Sequence, residues 1–296
     1  MFGRSFSQSV YGGSSAATDA IHTVSDRLYA FSSHWDSEGA DSVPAQIAAS
    51  AGLTPTVLDP DDYAVVKRAF SLAKETGGLF DPTIGALSFV WAEKTPTADR
   101  ISWALTYTGY NEVTLSDEDH SASIGRPGIT IDLNAVVPGM ALEEALSLYQ
   151  TAEIDGAVLT FDGGAVMTGT KGGEENAAFS LGLRDPMRSD GSHYAVLTET
   201  DRVICTSDVS SGLLDPSTGN PPETDLLAVT TLSEDGFLAD AMSSILYMQG
   251  SASVLSHLDD PDYEVIAVTK TGDVYLSDSV QEYFTLSDTE NYHLAH

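Results

Sequence analysis

Gly77-Gly78-Leu79-Phe80-Asp81-Pro82-Thr83-Ile84-Gly85-Ala86-Leu87 opens with two glycines that stop a helix and continues into a Pro- and Gly-punctuated turn. Upstream, Asp59-Pro60 supplies an N-cap and a proline at the first helical position. Tyr63, Val66, Phe70 and Ala73 then carry an apolar stripe to the stop, which predicts a helix. Further back, Asp36 to Thr56 is rich in Ser, Ala, Gly and Asp without a strong period and reads as a long surface excursion, the kind of segment that is often functional. Before it, Ile21, Val24, Leu28 and Phe31 recur at spacings of 3, 4 and 3, predicting a helix from about Ala16 to Ser33, and Met1 to Tyr11 alternates like a strand. Downstream, a helix is expected over Thr97 to Thr108, and strands over Glu112 to Leu115, Ser121 to Ile124 and Ile129 to Leu133. Pro138-Gly139 precedes a helix from Met140 to Tyr149.

In the second half, Gly156 to Phe161 is a short apolar run ending in Asp162-Gly163-Gly164, a strand-to-glycine turn that lets a ligand approach the backbone. Strand candidates follow at Ala178 to Leu183, Tyr194 to Thr198, Val203 to Thr206, Leu226 to Leu232, Glu264 to Thr269 and Val274 to Leu276, with a helix at Leu238 to Gln249. Strands and helices mix without strict alternation, which favours an α+β (mixed α/β) fold over a doubly wound sheet. No repeat and no linker divides the chain, so residues 1–296 are expected to form one domain.

The 296 residues, 42% of them hydrophobic, suffice for a well-buried core. Against 44 Asp+Glu stand 13 Lys+Arg, a formal charge of −31 that repels nucleic acid and anionic membrane surfaces. Such a surplus keeps a protein soluble and says little about chemistry. Cys205 is the single cysteine, which excludes an internal disulfide and a cysteine-rich metal site, and its strand-like surroundings suit a small buried residue. No run approaches the roughly 18 apolar residues of a membrane span, and the N-terminus lacks a signal-peptide core. The expected location is cytoplasmic as the sequence stands, or extracytoplasmic if an export segment has been removed. His22 and His34 sit outside ligand spacing and read as boundary or surface residues.

Asp240 and Ser244 are four residues apart on an expected helix, so both side chains project from one face. One carboxylate and one hydroxyl can serve Mg²⁺, which takes oxygen ligands, keeps several waters and uses one or two protein carboxylates beside substrate phosphates. Alone, an Asp near a helix start equally complements the helix dipole.

Three pieces in order resemble the ApbE family of FAD:protein FMN transferases: the Phe80-to-Gly85 turn, Asp215-Pro216-Ser217-Thr218-Gly219-Asn220-Pro221, and Ala239-Asp240-Ala241-Met242-Ser243-Ser244. The likeness runs from roughly Gly3 to Phe284. It implies mixed sheets with packed helices and a flavin pocket between subdomains. It also implies Mg²⁺ held by Asp240, Ser244 and the main-chain carbonyl of Val137. FAD would lie extended with its pyrophosphate at the metal, among Gly163, Gly164, Thr206, Ser207, Asp215, Thr218 and Gly219. The implied reaction is phosphoryl transfer, with Asp240 the catalytic ligand that matters most. A Ser or Thr hydroxyl of a target protein takes FMN, and AMP leaves.

Three positions depart from the family's pattern. Pro138 stands where the family has lysine, and proline offers neither charge nor a main-chain donor. Leu213 stands where the family has histidine, after a shortened segment, and Gln46-Ile47-Ala48 replaces an Arg-Ile-Asn-type sequence in the excursion. Two readings therefore stand side by side: a working FMN transferase, and a flavin-binding or interaction protein of the same fold that has lost turnover. Asp208-Val209-Ser210-Ser211-Gly212 is too short a match to an acceptor sequence to argue self-modification.

Overall fold

The computed structural model describes residues 5–37, 39–93, 95–161, 163–172, 177–199 and 201–295. Met1 to Arg4 of the expected first strand and Asp162 of the glycine turn lie outside the described residues. In chain order, β1 (Phe6–Tyr11) leads into α1 (Ser14–Trp35), α2 (Val43–Ala49), β2 (Thr56–Val57) and α3 (Pro60–Glu75). Next come α4 (Gly85–Trp91), α5 (Ala98–Leu105), the hairpin of β3 (Val113–Ser116) and β4 (Ser121–Ile124), and α6 (Val137–Thr151). The strands β5 (Gly156–Phe161), β6 (Gly164–Gly169), β7 (Leu181–Arg184), β8 (His193–Leu197), β9 (Val203–Asp208) and β10 (Leu226–Ser233) follow. The chain closes with α7 (Gly236–Gln249), α8 (Ser251–Ser256), β11 (Glu264–Thr269), β12 (Asp273–Leu276), β13 (Phe284–Leu286) and β14 (His293–Leu294).

Among the described residues an eight-stranded sheet runs β1-β5-β6-β9-β10-β11-β12-β14, antiparallel except for the β12–β14 pair. Two three-stranded sheets accompany it, β13-β8-β7 and β2-β4-β3, so the α+β expectation holds. The pleat of the large sheet sorts its side chains between two cores. Ala157, Leu159 and Phe161 of β5, Val166 of β6 and Val203 and Cys205 of β9 pack under α1 and α6. Their sequence neighbours Met167 and Ile204, with Leu232 of β10, face the opposite layer built on β7, β8 and β13. A third core joins α2, α3 and α7 with the small β2-β4-β3 sheet, and α4 and α5 pack on each other around Leu87, Val90 and Ala104.

The excursion contains α2, which its composition conceals. Ser42 accepts a hydrogen bond from the Ala45 amide at 3.2 Å, Pro44 sits in the first turn, and Val43 and Ile47 are buried. Ile129 to Leu133 is not a strand. Its apolar residues sink into the helical core, and it is tied to the Phe80-to-Gly85 turn by the Asp132 amide, 2.8 Å from the Pro82 carbonyl. α6 starts at Val137, three residues before the expected Met140, because proline in the first turn lacks only an N–H that has no intrahelical partner there. No helix among the described residues is long and apolar enough to cross a membrane.

Candidate functional site

Two glycines set the centre of the site. A Cβ on Gly139 of α6 would stand 2.0 Å from the Gly236 carbonyl oxygen, and one on Gly236 of α7 would stand 2.1 Å from that of Gly139. The helices cross backbone to backbone, an approach that only hydrogen in place of a side chain permits. The crossing brings Asp240 to the start of α6, where its Oδ2 accepts the Gly139 amide at 2.9 Å. The positive end of the α6 dipole and that bond favour the charged carboxylate. Burial opposes them and prevails, pushing the Asp240 carboxyl up to about 7.

One turn further along α7, Ser244 lies beside the end of β9. Ser207 Oγ is 2.8 Å from Ser243 Oγ and 3.1 Å from Ser244 Oγ. Thr206, the preceding residue, points to the other face of the strand and bonds Thr230 Oγ1 at 2.8 Å. Next to both, Gly163 adopts φ +84° between β5 and β6, where a Cβ would lie 2.9 Å from the Thr206 carbonyl. The Gly163 carbonyl accepts the Thr206 amide at 3.1 Å, which holds the glycine turn against β9.

These parts open into one cavity of about 1490 Å³. Its walls include Gly163, Gly164, Thr206, Ser207, Asp240 and Ser244, six of the residues singled out from the sequence. Clefts that hold single drug-sized ligands measure roughly 300–1,000 Å³, so this one has room for a larger molecule. Val137 is fully buried and is not on the wall, whereas its neighbour Pro138 is. Leu213 also lines the cavity, while Gln46 and Ala48 do not.

Asp215, Thr218 and Gly219 stand behind the wall rather than on it; Leu214 and Pro216 of the same segment line it. Asp215 Oδ1 accepts the amide and hydroxyl of Ser217 at 2.8 and 2.7 Å, and the Gly219 amide returns to the Asp215 carbonyl at 2.7 Å. Trp91 Nε1 donates to the Gly219 carbonyl at 2.7 Å, docking this turn on α4. The motif thus shapes the cavity by holding its lining in place.

Asp36, Asp81, Asp132 and Asp208 also line the cavity and were not singled out as site residues. Asp81 binds the Thr83 amide at 2.8 Å and the Tyr110 amide at 3.0 Å, and burial raises its carboxyl. Asp132 accepts the Asn134 amide at 2.9 Å and the Ser88 hydroxyl at 2.7 Å. Asp81 and Asp132 each close their own turn and also tie it to a segment distant in sequence, Tyr110 and Ser88 respectively. Among the described lining residues Arg184 is the one Lys or Arg, and it pairs with Asp208 at 3.0 Å.

A hard cation fits the Asp240 end. The donors there are oxygens: one desolvated carboxylate and the hydroxyls of Ser244 and Ser207. Among the described residues no three His, Cys, Asp or Glu side chains gather into a metal cluster, so an ion here would rest on few protein ligands and retain water or ligand oxygens. A cation beside Asp240 would offset the charge that burial disfavours.

The chain is 26% identical over 237 residues to the FAD:protein FMN transferase of Treponema pallidum, a match covering 71% of this chain and 66% of that protein. It is 20% identical over 261 residues to the FAD:protein FMN transferase of Haemophilus influenzae, covering 80% and 74%. Among solved structures, the ApbE protein of Thermotoga maritima superposes with a TM-score of 0.77 at 22% identity, covering 93% of this chain and 94% of that one. The flavin transferase ApbE of Vibrio cholerae gives 0.76 at 20% identity, covering 94% and 95%. At these identities the solved structures establish the fold, α+β with mixed sheets. The ApbE family pattern itself matches residues 2–268, and the chain belongs to the ApbE family.

Proposed function

We propose that this chain is an FAD:protein FMN transferase that uses Mg²⁺ and moves the FMN part of FAD onto a Ser or Thr hydroxyl of a target protein. The observation that carries the reading is the convergence of Gly163, Gly164, Thr206, Ser207, Asp240 and Ser244 on one cavity in a chain of this family. Asp240 and Ser244 would hold the metal, with the main-chain carbonyl of Val137 at the start of α6 as a third protein oxygen. When bound, Mg²⁺ supplies neutralisation of charge on the phosphate oxygens. The backbone at Gly163 and Gly164 and the hydroxyls of Thr206 and Ser207 would orient the pyrophosphate, while the Asp215-to-Gly219 turn keeps the opposite wall in place. The acceptor oxygen forms a bond to the FMN phosphorus, the bond from that phosphorus to the bridging oxygen breaks, and AMP leaves; the acceptor's proton passes to solvent. Water as acceptor gives FMN and AMP. β13 and β14 follow the family match yet pair with β8 and β12, which supports reading residues 1–296 as one unit.

A second reading, a flavin-binding protein without turnover, is favoured by Pro138 and Leu213 in the wall and by Arg184 already being paired. AMP release from FAD, with and without Mg²⁺ and with Asp240→Ala as the control, separates the two. Mg²⁺-dependent AMP that vanishes in the variant supports the transferase. Flavin binding without AMP supports the binding protein.

A further inference from the structure

The crossing of α6 and α7 is built the same way from both sides. Gly139 lies in the first turn of α6 and Gly236 opens α7, so neither amide has a partner within its own helix. Each finds one on the other helix. Asp240, four residues after Gly236 on α7, accepts the Gly139 amide at 2.9 Å; Glu143, four residues after Gly139 on α6, accepts the Gly236 amide at 2.8 Å. Side chains lean toward the N-terminus of their helix, so each acid reaches back one turn to the crossing point. The packing is as reciprocal as the bonding. A Cβ on Gly139 would lie 2.6 Å from the Asp240 Cβ, and one on Gly236 would lie 2.9 Å from the Glu143 Cβ. One such bond leaves a pivot about which two helices can swivel, whereas two with donor and acceptor exchanged fix both their angle and their axial register. Asp240 lines the cavity, while Glu143 is exposed and lies outside it.

We infer that Glu143 is a positioning residue for Asp240: its bond to the Gly236 amide locks α7 against α6 and so sets where the Asp240 carboxylate stands relative to the start of α6. This deepens the proposed function and rests on it, because a Mg²⁺ site shared between Asp240 and Ser244 of α7 and the Val137 carbonyl of α6 needs the two helices in one register. A cap that served α7 alone would not supply this. That service comes from Asp235, which accepts the Leu238 amide at 3.1 Å within the same helix start. Asp235 is held in turn by Arg68 at 2.9 and 2.5 Å, with the guanidinium 4.1 Å from the centre of the Phe237 ring. It stabilises the first turn of α7 without joining that turn to α6, and is therefore the control for Glu143.

The test compares the wild-type chain with Glu143→Ala, with Glu143→Gln, which keeps an acceptor oxygen, and with Asp235→Ala. Glu143 is exposed, so its truncation opens no cavity in the core; melting of each variant checks the fold. The first readout is free of metal: hydrogen exchange of the Gly139 amide, followed by NMR in EDTA and expressed relative to core amides of β10 in the same sample. Relative exchange should quicken about tenfold in Glu143→Ala, the factor that one hydrogen bond to a charged group is worth, and keep its wild-type rate in Glu143→Gln and Asp235→Ala. The second readout is the Mg²⁺ concentration giving half-maximal AMP release from FAD, which should rise about tenfold in Glu143→Ala alone. Gly139 exchange that is unchanged in Glu143→Ala, quickened equally in Asp235→Ala or not restored in Glu143→Gln overturns the inference, as does an unchanged Mg²⁺ requirement in Glu143→Ala. Mg²⁺-dependent AMP release with Gly139 exchange indifferent to Glu143 refutes the positioning role alone. The expected exchange pattern in a chain that releases no AMP upholds the interhelical lock and refutes the transferase reading alone.

Discussion

Gly139→Ala tests the helix crossing on which the site depends. Alanine raises helix propensity, worth about 1 kcal/mol in favour of the variant at an exposed helix position. Against this, the new methyl would stand 2.0 Å from the Gly236 carbonyl oxygen and 2.6 Å from the Asp240 Cβ. Neither obstacle is the far end of a flexible side chain, so α6 and α7 must separate. Overpacking of this kind costs about 1–3 kcal/mol, and losing the bond from the Gly139 amide to the Asp240 carboxylate removes about 1.5–3 kcal/mol more. The steric and hydrogen-bond terms together exceed the propensity gain, leaving a net loss of roughly 1.5–5 kcal/mol. For a chain of this size that lowers Tm by roughly 2–8 °C. Urea unfolding should show a lower midpoint at an unchanged slope, with Mg²⁺-dependent AMP release reduced further than the stability loss explains. A variant as stable as the wild type would refute the close crossing and the placement of Asp240 derived from it.

Asp240→Asn should abolish Mg²⁺-dependent AMP release. It should also alter the pH dependence of metal-free stability: Asp240 is held near 7 against 3.8, so its contribution is fully present below about pH 4 and is lost as pH rises through about 7, by up to about 4 kcal/mol. Urea midpoints in EDTA should therefore fall less between pH 5 and pH 8 in the variant than in the wild type. Pro138→Lys should tighten FAD binding severalfold by adding a cation to an acidic wall, with a gain that fades as salt is raised, read by flavin fluorescence at two ionic strengths. Trp91→Phe should lose the bond to the Gly219 carbonyl, lowering stability by about 1 kcal/mol and weakening FAD binding through the loosened wall, without changing the Mg²⁺ requirement of AMP release.

Local signals carried much of the architecture. Ser121–Ile124, Gly156–Phe161 and Glu264–Thr269 form strands over the expected residues, because short runs bounded by turn residues become strands buried along most of their length. What was hidden depends on tertiary context. β6 begins at Gly164, inside what reads as a turn, and α4 begins at Gly85, inside what reads as another; each is completed by partners distant in sequence. α2 lacks a long apolar stripe and becomes a helix through its Ser42 cap and the burial of Val43 and Ile47. For the site, the i, i+4 spacing on α7 announced Asp240 and Ser244. The Gly139–Gly236 contact that aims Asp240 joins residues 97 apart along the chain and leaves no local trace beyond two glycines. The Asp215 turn was legible as a turn, whereas its docking behind the wall depends on Trp91.

Thr206 and Ser207 are adjacent on β9 yet face different layers, one toward Thr230 and the other toward Ser243 and Ser244 on α7. The cavity reaches around this strand end to Leu181, Gly182 and Leu183 of β7. A ligand lying across it would act as a clasp between the β7-β8-β13 layer and the helices on the other side of the large sheet. Amide hydrogen exchange in β7 should then slow on ligand binding, although β7 belongs to a different sheet from the strand that carries Thr206 and Ser207.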